Sequence, residues 1–219
     1  MDRVAVLASG GLDSSVLLAD LARTHVVYPV YVEAGLAWEK LERRALDAFL
    51  AALSNPNVRA LTTLQLPVRS LYGEHWSTTG EDVPDAEAPD SEVYLPGRNV
   101  LLLGLTAVWC ALNDVHEVAI GSLDDNPFAD ATPSFFADYS RVLSTSLSQP
   151  LTITAPYRHR HKAEIIAEFP DLPLELTLTC MSPRIEGDLL LHCGACNKCN
   201  ERQVAFRQAG VEDKTRYAS

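Results

Sequence analysis

Positive charge is what this chain has least of: 18 Lys and Arg stand against 29 Asp and Glu over 219 residues, a formal net charge of −11. Affinity for a nucleic-acid backbone comes largely from Lys and Arg neutralising phosphates, so this balance argues against nucleic acid as a partner. The only dense basic cluster is Arg158-His159-Arg160-His161-Lys162. For Arg158, His159 and Arg160 it reads as a solvated helix start; the alternative is a phosphate or carboxylate contact. No uninterrupted apolar run is long enough to span a bilayer, so no membrane partner is expected. The sequence opens Met-Asp-Arg and passes straight into a strand-like run without the features of a signal peptide; a cytoplasmic enzyme is the expectation. Internal repeats and low-complexity segments are missing. So are Gly-Lys-Ser/Thr and Gly-x-Gly-x-x-Gly, which excludes a Walker A loop and the dinucleotide fingerprint.

What is present is an alternation. Residues 3–8, 26–32, 60–66, 116–121 and 151–154 read as strands, and 14–23, 37–53, 99–113, 134–147 and 160–168 as helices. Within 37–53, Leu41, Ala45, Ala48, Phe49 and Ala52 fall at helical spacing with charges between them. Strands alternating with helices predict an α/β fold with a doubly wound, mostly parallel sheet. Two polar stretches, 70–96 and 122–132, break the pattern as functional loops would. A chain of this length that is 47% hydrophobic suits one compact domain or one domain with an appendage. The expected division is an α/β domain over 1–170 and a cysteine-bearing segment over 171–219 packed on it. In open α/β sheets ligands bind outside the carboxyl ends of the strands. The loops after 8, 32, 66, 121 and 154 should then share one rim. That would bring Ser9–Ser15, Glu33–Gly35, the 70–98 loop and Ser122–Asp125 to one crevice.

The first strand feeds Ser9-Gly10-Gly11-Leu12-Asp13-Ser14-Ser15, where a helix pattern begins at once. Such a turn aims backbone N–H groups and the positive end of a helix dipole at one spot, which suits a phosphate. Gly10 and Gly11 permit close approach of a ligand. Ser9, Ser14 and Ser15 add hydroxyls, and Asp13 adds a carboxylate for Mg²⁺, a hard cation that prefers oxygen. The plain alternative is an ordinary strand-to-helix turn that holds two glycines. Ser-Gly-Gly-x-Asp-Ser in this context resembles the PP-loop of the N-type ATP pyrophosphatases. The resemblance implies that ATP is split into AMP and pyrophosphate while a substrate oxygen is adenylated.

Cys180, Cys193, Cys196 and Cys199 follow the pattern C-x12-C-x2-C-x2-C, whereas the fifth cysteine, Cys110, lies in an apolar helical stretch. Clustered cysteines in a cytosolic chain point to a metal rather than to disulfides. Four thiolates complete a tetrahedral Zn²⁺ site with no position left for water, so a structural role is expected. The competitor is a [4Fe–4S] cluster. A cluster used for sulfur transfer leaves one iron open and takes three cysteines, and the ferredoxin-type C-x3-C-P element is missing. Zinc is the favoured ion.

With both ends considered, the chain resembles the 7-cyano-7-deazaguanine synthase family (QueC) over nearly its full length. The residues that carry the likeness are the Ser9–Ser14 motif; Pro96-Gly97-Arg98-Asn99; Ala155-Pro156 followed by Lys162-Ala163-Glu164-Ile165-Ile166; the four clustered cysteines; Arg202, Ala205 and Phe206; and the closing Asp213-Lys214-Thr215-Arg216-Tyr217. The resemblance implies a Rossmann-like PP-loop fold with a C-terminal zinc knot, ATP as co-substrate with Mg²⁺, a small carboxylic acid and ammonia as partners, and a homodimer. The implied reaction adenylates 7-carboxy-7-deazaguanine, lets ammonia displace AMP, and then activates the amide oxygen with a second ATP to give the nitrile, 7-cyano-7-deazaguanine, a step of 7-deazapurine and queuosine biosynthesis. By the same resemblance, Ala8, Ser9, Gly10, Gly11, Leu12, Asp13, Ser14, Val32, Gly97, Arg98 and Gly121 would hold the nucleotide. Ser9, Asp13, Arg98 and Lys162 would serve the chemistry, Arg98 as a fork on phosphate or carboxylate and Lys162 as a point charge on the transferred group. The plain alternatives are a helix-start salt bridge for Arg98 and a solvated helix residue for Lys162.

Two loops depart from the family pattern. Val32-Glu33-Ala34-Gly35-Leu36-Ala37 stands where Tyr-Gly-Gln-Arg-His is usual, and Asp125-Asn126-Pro127-Phe128-Ala129-Asp130-Ala131-Thr132 replaces a Tyr-Pro-Asp-Cys-Arg element. Three other readings therefore stay open: a relative that activates another acid or couples a deazapurine acid to another amine, a tRNA-modifying PP-loop enzyme, and a non-catalytic nucleotide sensor.

Overall fold

Val4, Val6 and Ala8 alternate with Ala5 and Leu7, and both sets are buried, each in a different apolar cluster. A strand covered on both faces follows, β1 (Arg3–Leu7). The computed structural model describes residues 1–124 and 126–218, Asp90 by its backbone alone. In chain order β1 is followed by α1 (Leu12–Leu21), β2 (Val26–Glu33), α2 (Glu39–Leu53), β3 (Thr62–Gln65), α3 (Arg69–Tyr72), α4 (Trp76–Thr79), α5 (Arg98–Leu112), β4 (Glu117–Ala119), α6 (Pro133–Leu147), β5 (Thr152–Thr154), α7 (Lys162–Glu168), β6 (Arg184–Glu186), β7 (Leu189–Leu191) and α8 (Asn197–Ala209). The main sheet runs β3-β2-β1-β4-β5, with every pairing parallel. The fold is therefore the expected doubly wound α/β arrangement. The chain moves outward from β1 to β3, then returns to place β4 on the other side of β1. The gap between β1 and β4 is thus the switch point at which such sheets bind ligands.

One layer joins α1, α7 and α8 through Leu12, Val16, Ile165, Ile166, Ala205 and Phe206. The opposite layer joins α5 and α6 through Leu103, Ala107, Cys110, Phe136 and Leu143. α6 starts with Pro133 at its first turn, and the Thr132 hydroxyl accepts the Phe135 N–H at 3.2 Å.

The 70–96 stretch holds more order than its composition implies. Two single-turn helices, α3 and α4, and a 3₁₀ turn over Asp90–Val93 interrupt it. They rest on short-range bonds: His75 Nδ1 accepts the Ser77 N–H at 3.3 Å, and Thr78 Oγ1 donates to the Gly73 carbonyl at 2.7 Å. The β6–β7 hairpin had no signal in the sequence. Its first strand is exposed throughout, so no apolar alternation marks it.

Arg202 of α8 has no exposed surface. Its guanidinium donates to Thr215 Oγ1 at 2.8 Å, Thr177 Oγ1 at 2.9 Å and the Leu174 carbonyl at 2.7 Å, and it lies over the Phe206 ring. One side chain thus sews the last helix to the two segments flanking it. Replacing Arg202 with Ala strips those acceptors and leaves a void; denaturant unfolding should show a loss of about 3 kcal/mol or more.

Candidate active site and metal centre

The turn after β1 is held open by its own hydroxyls. Ser14 Oγ accepts the Ser9 N–H at 3.2 Å and lies 3.1 Å from Ser9 Oγ, while Ser9 Oγ accepts the Gly11 N–H at 3.3 Å. No side chain caps α1, whose N-cap is Gly11. Its first N–H groups and the helix dipole therefore address the crevice. Two glycines make the geometry feasible. Gly10 has φ +75°, and a Cβ there would sit 2.8 Å from the Glu42 carbonyl oxygen. A Cβ at Gly121, beyond β4, would come within 3.0 Å of the Ser14 nitrogen. Leu178 N–H donates to the Gly10 carbonyl at 2.8 Å, which ties the turn to the C-terminal segment.

A cavity of about 190 Å³ opens here. It takes in Ala8, Ser9, Gly11, Asp13, Ser14, Val32, Arg98, Gly121 and Ser122. The loops after β1, β2 and β4 and the end of the 70–98 loop thus share one crevice, as the rim argument requires. Asp125, which that argument also placed here, lies outside the described residues. Gly10, Leu12 and Gly97 do not line the cavities of this region. Leu12 is a fully buried core residue, and Gly97, at φ +71°, is the N-cap of α5.

Lys162 opens α7 and is buried, not solvated. Its Nζ lies 3.3 Å from Asp13 Oδ2 and forms an ion pair with Glu201 Oε1. Burial alone would lower the Lys162 pKa, but the Asp13 and Glu201 carboxylates outweigh it and keep the ammonium charged. Burial raises the Asp13 carboxyl against the pull of Lys162. Burial opposes ionisation of Glu201 too, yet Lys162 and Lys198 hold its pKa down to about 2. Asp13 Oδ1 and Ser122 Oγ are buried without a hydrogen-bond partner, so the crevice offers polar atoms to a ligand. Arg158 is likewise not the solvated residue its cluster suggested: its Nη1 donates to the Leu123 and Asp124 carbonyls, each at 2.8 Å, and fixes the loop after Gly121. Arg160 pairs with Glu168 and lies over Tyr157, and His159 is exposed.

The sulfurs of Cys180, Cys193, Cys196 and Cys199 lie within 4.8 Å of one another, and those of Cys193 and Cys199 are 3.9 Å apart. Around one tetrahedral ion with metal–sulfur bonds of about 2.3 Å, the sulfurs stand about 3.8 Å apart. The donor set fits a single metal ion such as zinc. The irons of a cubane would spread the sulfurs farther. Backbone N–H groups of Ser182 and Cys193 donate to Cys180 Sγ at 3.3 and 3.2 Å, the kind of support a thiolate receives. Cys110, on α5, is apart from the cluster, with a thiol that burial pushes up to about 12.

A family model described as "Queuosine biosynthesis protein QueC" matches residues 3–210. The chain belongs to the QueC family. A 7-cyano-7-deazaguanine synthase 1 from Sphingopyxis alaskensis is 33% identical, with 98% of each chain covered. The 7-cyano-7-deazaguanine synthases of Methanothrix thermoacetophila and Novosphingobium aromaticivorans are 30% and 32% identical, covering 99% and 97% of this chain and 99% and 93% of theirs. These relatives are named as enzymes that act on a small molecule. No helix among the described residues is long and apolar enough to cross a membrane.

Glu42 and Glu201 line the cavities of this QueC-family chain without having been marked by sequence, and Asp130 of the departing 122–132 loop braces the start of α5. Asp130 accepts the Asn99 N–H at 3.1 Å, and its carbonyl accepts Asn99 Nδ2 at 3.0 Å, so the 122–132 loop fixes the start of α5 beside Arg98. Glu201 is the second partner of Lys162. Glu42, buried on α2, lines the cavity and accepts the Tyr31 hydroxyl at 2.9 Å. Burial pushes its carboxyl up to about 7, against the opposing pull of Arg98 and Tyr31. A polar residue inside an amphipathic helix pattern reads as solvent-facing, which is why Glu42 escaped. Its raised pKa has a direct consequence for stability. Between the ordinary carboxyl range near 4.5 and about 7 the unfolded chain releases this proton and the folded chain keeps it, so stability falls as pH rises through that window. Glu42→Gln should therefore leave stability nearly unchanged at pH 4.5 and raise it by on the order of 3 kcal/mol at pH 8 in urea melts at the two pH values.

Proposed function

We propose that the chain is a ligase that adenylates the carboxylate of 7-carboxy-7-deazaguanine and converts it, with ammonia, to the 7-cyano product. The observation that carries this reading is the Asp13–Lys162 pair, 3.3 Å apart, at the uncapped helix start of a Ser-Gly-Gly-x-Asp-Ser turn. An anion-binding turn needs a cation on its open side and a carboxylate for Mg²⁺ to handle a nucleoside triphosphate. Family membership supports the substrate.

In this reading the first turn of α1 holds the β- and γ-phosphates, Asp13 takes the magnesium ion, and Lys162 and Arg98 face the α-phosphate and the acid. A carboxylate oxygen of the acid attacks the α-phosphorus, the bond to the bridging oxygen breaks, and pyrophosphate leaves. Ammonia then attacks the acyl carbon and AMP departs, giving the amide. A second ATP transfers AMP to the amide oxygen and releases a second pyrophosphate; loss of AMP and the two amide protons leaves the nitrile. The chain's contribution is positioning and charge neutralisation rather than covalent chemistry. The four cysteines bind structural zinc and hold 171–219 against the 1–170 domain. The assembly is a homodimer in the cytoplasm.

A second reading is favoured by one feature of the loop after β2. Glu39 accepts the Ala34 and Gly35 N–H groups at 2.5 and 3.0 Å, while Ala34 and Leu36 are buried with Trp38 and Val68. That loop offers the acceptor an apolar edge, which suits a different carboxylic acid or a bulkier amine.

Supplied with ATP, Mg²⁺, ammonium and 7-carboxy-7-deazaguanine, the protein should release AMP and pyrophosphate and give a product one water lighter than the amide by mass. AMP formation only with another acid would replace the first reading with the second. Lys162→Met and Arg98→Ala should each lower kcat/KM about 100-fold or more while leaving the far-ultraviolet spectrum intact. Metal analysis should find one zinc per chain, and Cys196→Ser should shed it and lower the unfolding midpoint by about 5 °C or more.

A further inference from the structure

Two lysines of different origin meet at the mouth of the crevice. Lys162 is the first residue of α7. Lys198 lies on α8, between Cys196 and Cys199. Glu201 joins them: Oε1 pairs with Lys162 Nζ, and Oε2 accepts from Lys198 Nζ at 2.7 Å. Asp13, Lys162, Lys198 and Glu201 are common to a cavity of about 770 Å³ and one of about 230 Å³. The two ammonium groups are matched here by the carboxylates of Asp13 and Glu201; with Asp13 given to a magnesium ion, as proposed above, Glu201 alone would stand between the two lysines. In a chain of net charge −11, two lysine ammonium groups are gathered on one carboxylate beside the anion-binding turn.

We infer that Lys198 is a second polyphosphate-binding residue, and that Glu201 is a positioning residue that holds both lysines at the phosphate end of the nucleotide. The inference rests on the reading of Asp13 and Lys162 under Proposed function. The ligand is the charged tail of a magnesium nucleoside triphosphate, or pyrophosphate as it leaves. Glu201 has two opposed effects. It keeps Lys162 Nζ aimed into the crevice, and its own charge repels the arriving phosphates. Removing that charge should tighten ATP binding and misplace Lys162, so affinity and turnover move in opposite directions. A merely structural residue would move both together or neither.

The test is titration calorimetry of MgATP, with turnover and metal content measured on the same samples. Glu201→Gln is expected to bind ATP about threefold to tenfold more tightly and to turn over about tenfold more slowly, with its metal retained. Lys198→Met is expected to weaken ATP binding about tenfold, also with metal retained. Unchanged affinity and turnover in Glu201→Gln would overturn the role of Glu201, as would a parallel fall in both. If Glu201→Gln sheds its metal, the decision passes to Lys198→Met, and wild-type ATP affinity there overturns the inference. Lys162→Met separates this inference from the reading beneath it. If that variant binds and turns over ATP normally, the site itself has been misread.

Discussion

The loop after β4 passes so close to the start of α1 that a side chain at position 121 would have to push backbone aside. A Cβ there would press on the Ser14 nitrogen and the neighbouring Asp13 backbone. The rest of the site depends on that crowding. It brings the loop after β4 against the start of α1, so that one uncapped helix terminus forms the floor of a crevice whose walls are the ends of parallel strands. Gly10 repeats the constraint on the other side, where α2 packs against the turn. With the backbone so confined, the turn has little freedom to rearrange when a ligand enters, and its donors are set in advance.

Electrostatics then divides the crevice. Toward α2 it is carboxylate-rich: Glu42 is buried beside Tyr31, and Glu39 caps the loop after β2. Toward α7 and α8 its carboxylates are paired, Asp13 with Lys162 and Glu201 with both Lys162 and Lys198. Arg98 stands between the two, close enough to oppose the upward shift of Glu42.

The sequence disclosed the parts whose spacing is itself the chemistry. Ser9 to Ser14 and the four cysteines could be read because glycine turns and metal ligands need fixed residue types at fixed intervals. The strands and helices were legible from periodicity, with ends shifted by a residue or two where fraying and caps decide. What escaped was set by tertiary contact. Glu42 and Glu201 look like solvated helix residues; only the approach of Tyr31 and Arg98 to the one, and of Lys162 to the other, brings them into the site. Arg158 looked like one of a basic cluster, but its partners are carbonyls of a loop more than thirty residues earlier. The β6–β7 hairpin has an exposed first strand and so leaves no apolar pattern to read.

The hydrogen bond from Leu178 to the Gly10 carbonyl has a consequence for how the molecule is made. A ribosome makes the turn at Gly10 well before the segment that braces it and the helix that carries Glu201 and Lys198. The emerging chain can form β1 and pair it with β2 early. It cannot finish the crevice until α8 has been made, because the closing contacts join residues far apart in sequence. Completion of the crevice is thereby tied to synthesis of α8, and a fragment that stopped before it would carry the Ser9–Ser14 motif without Lys198 and Glu201 beside it.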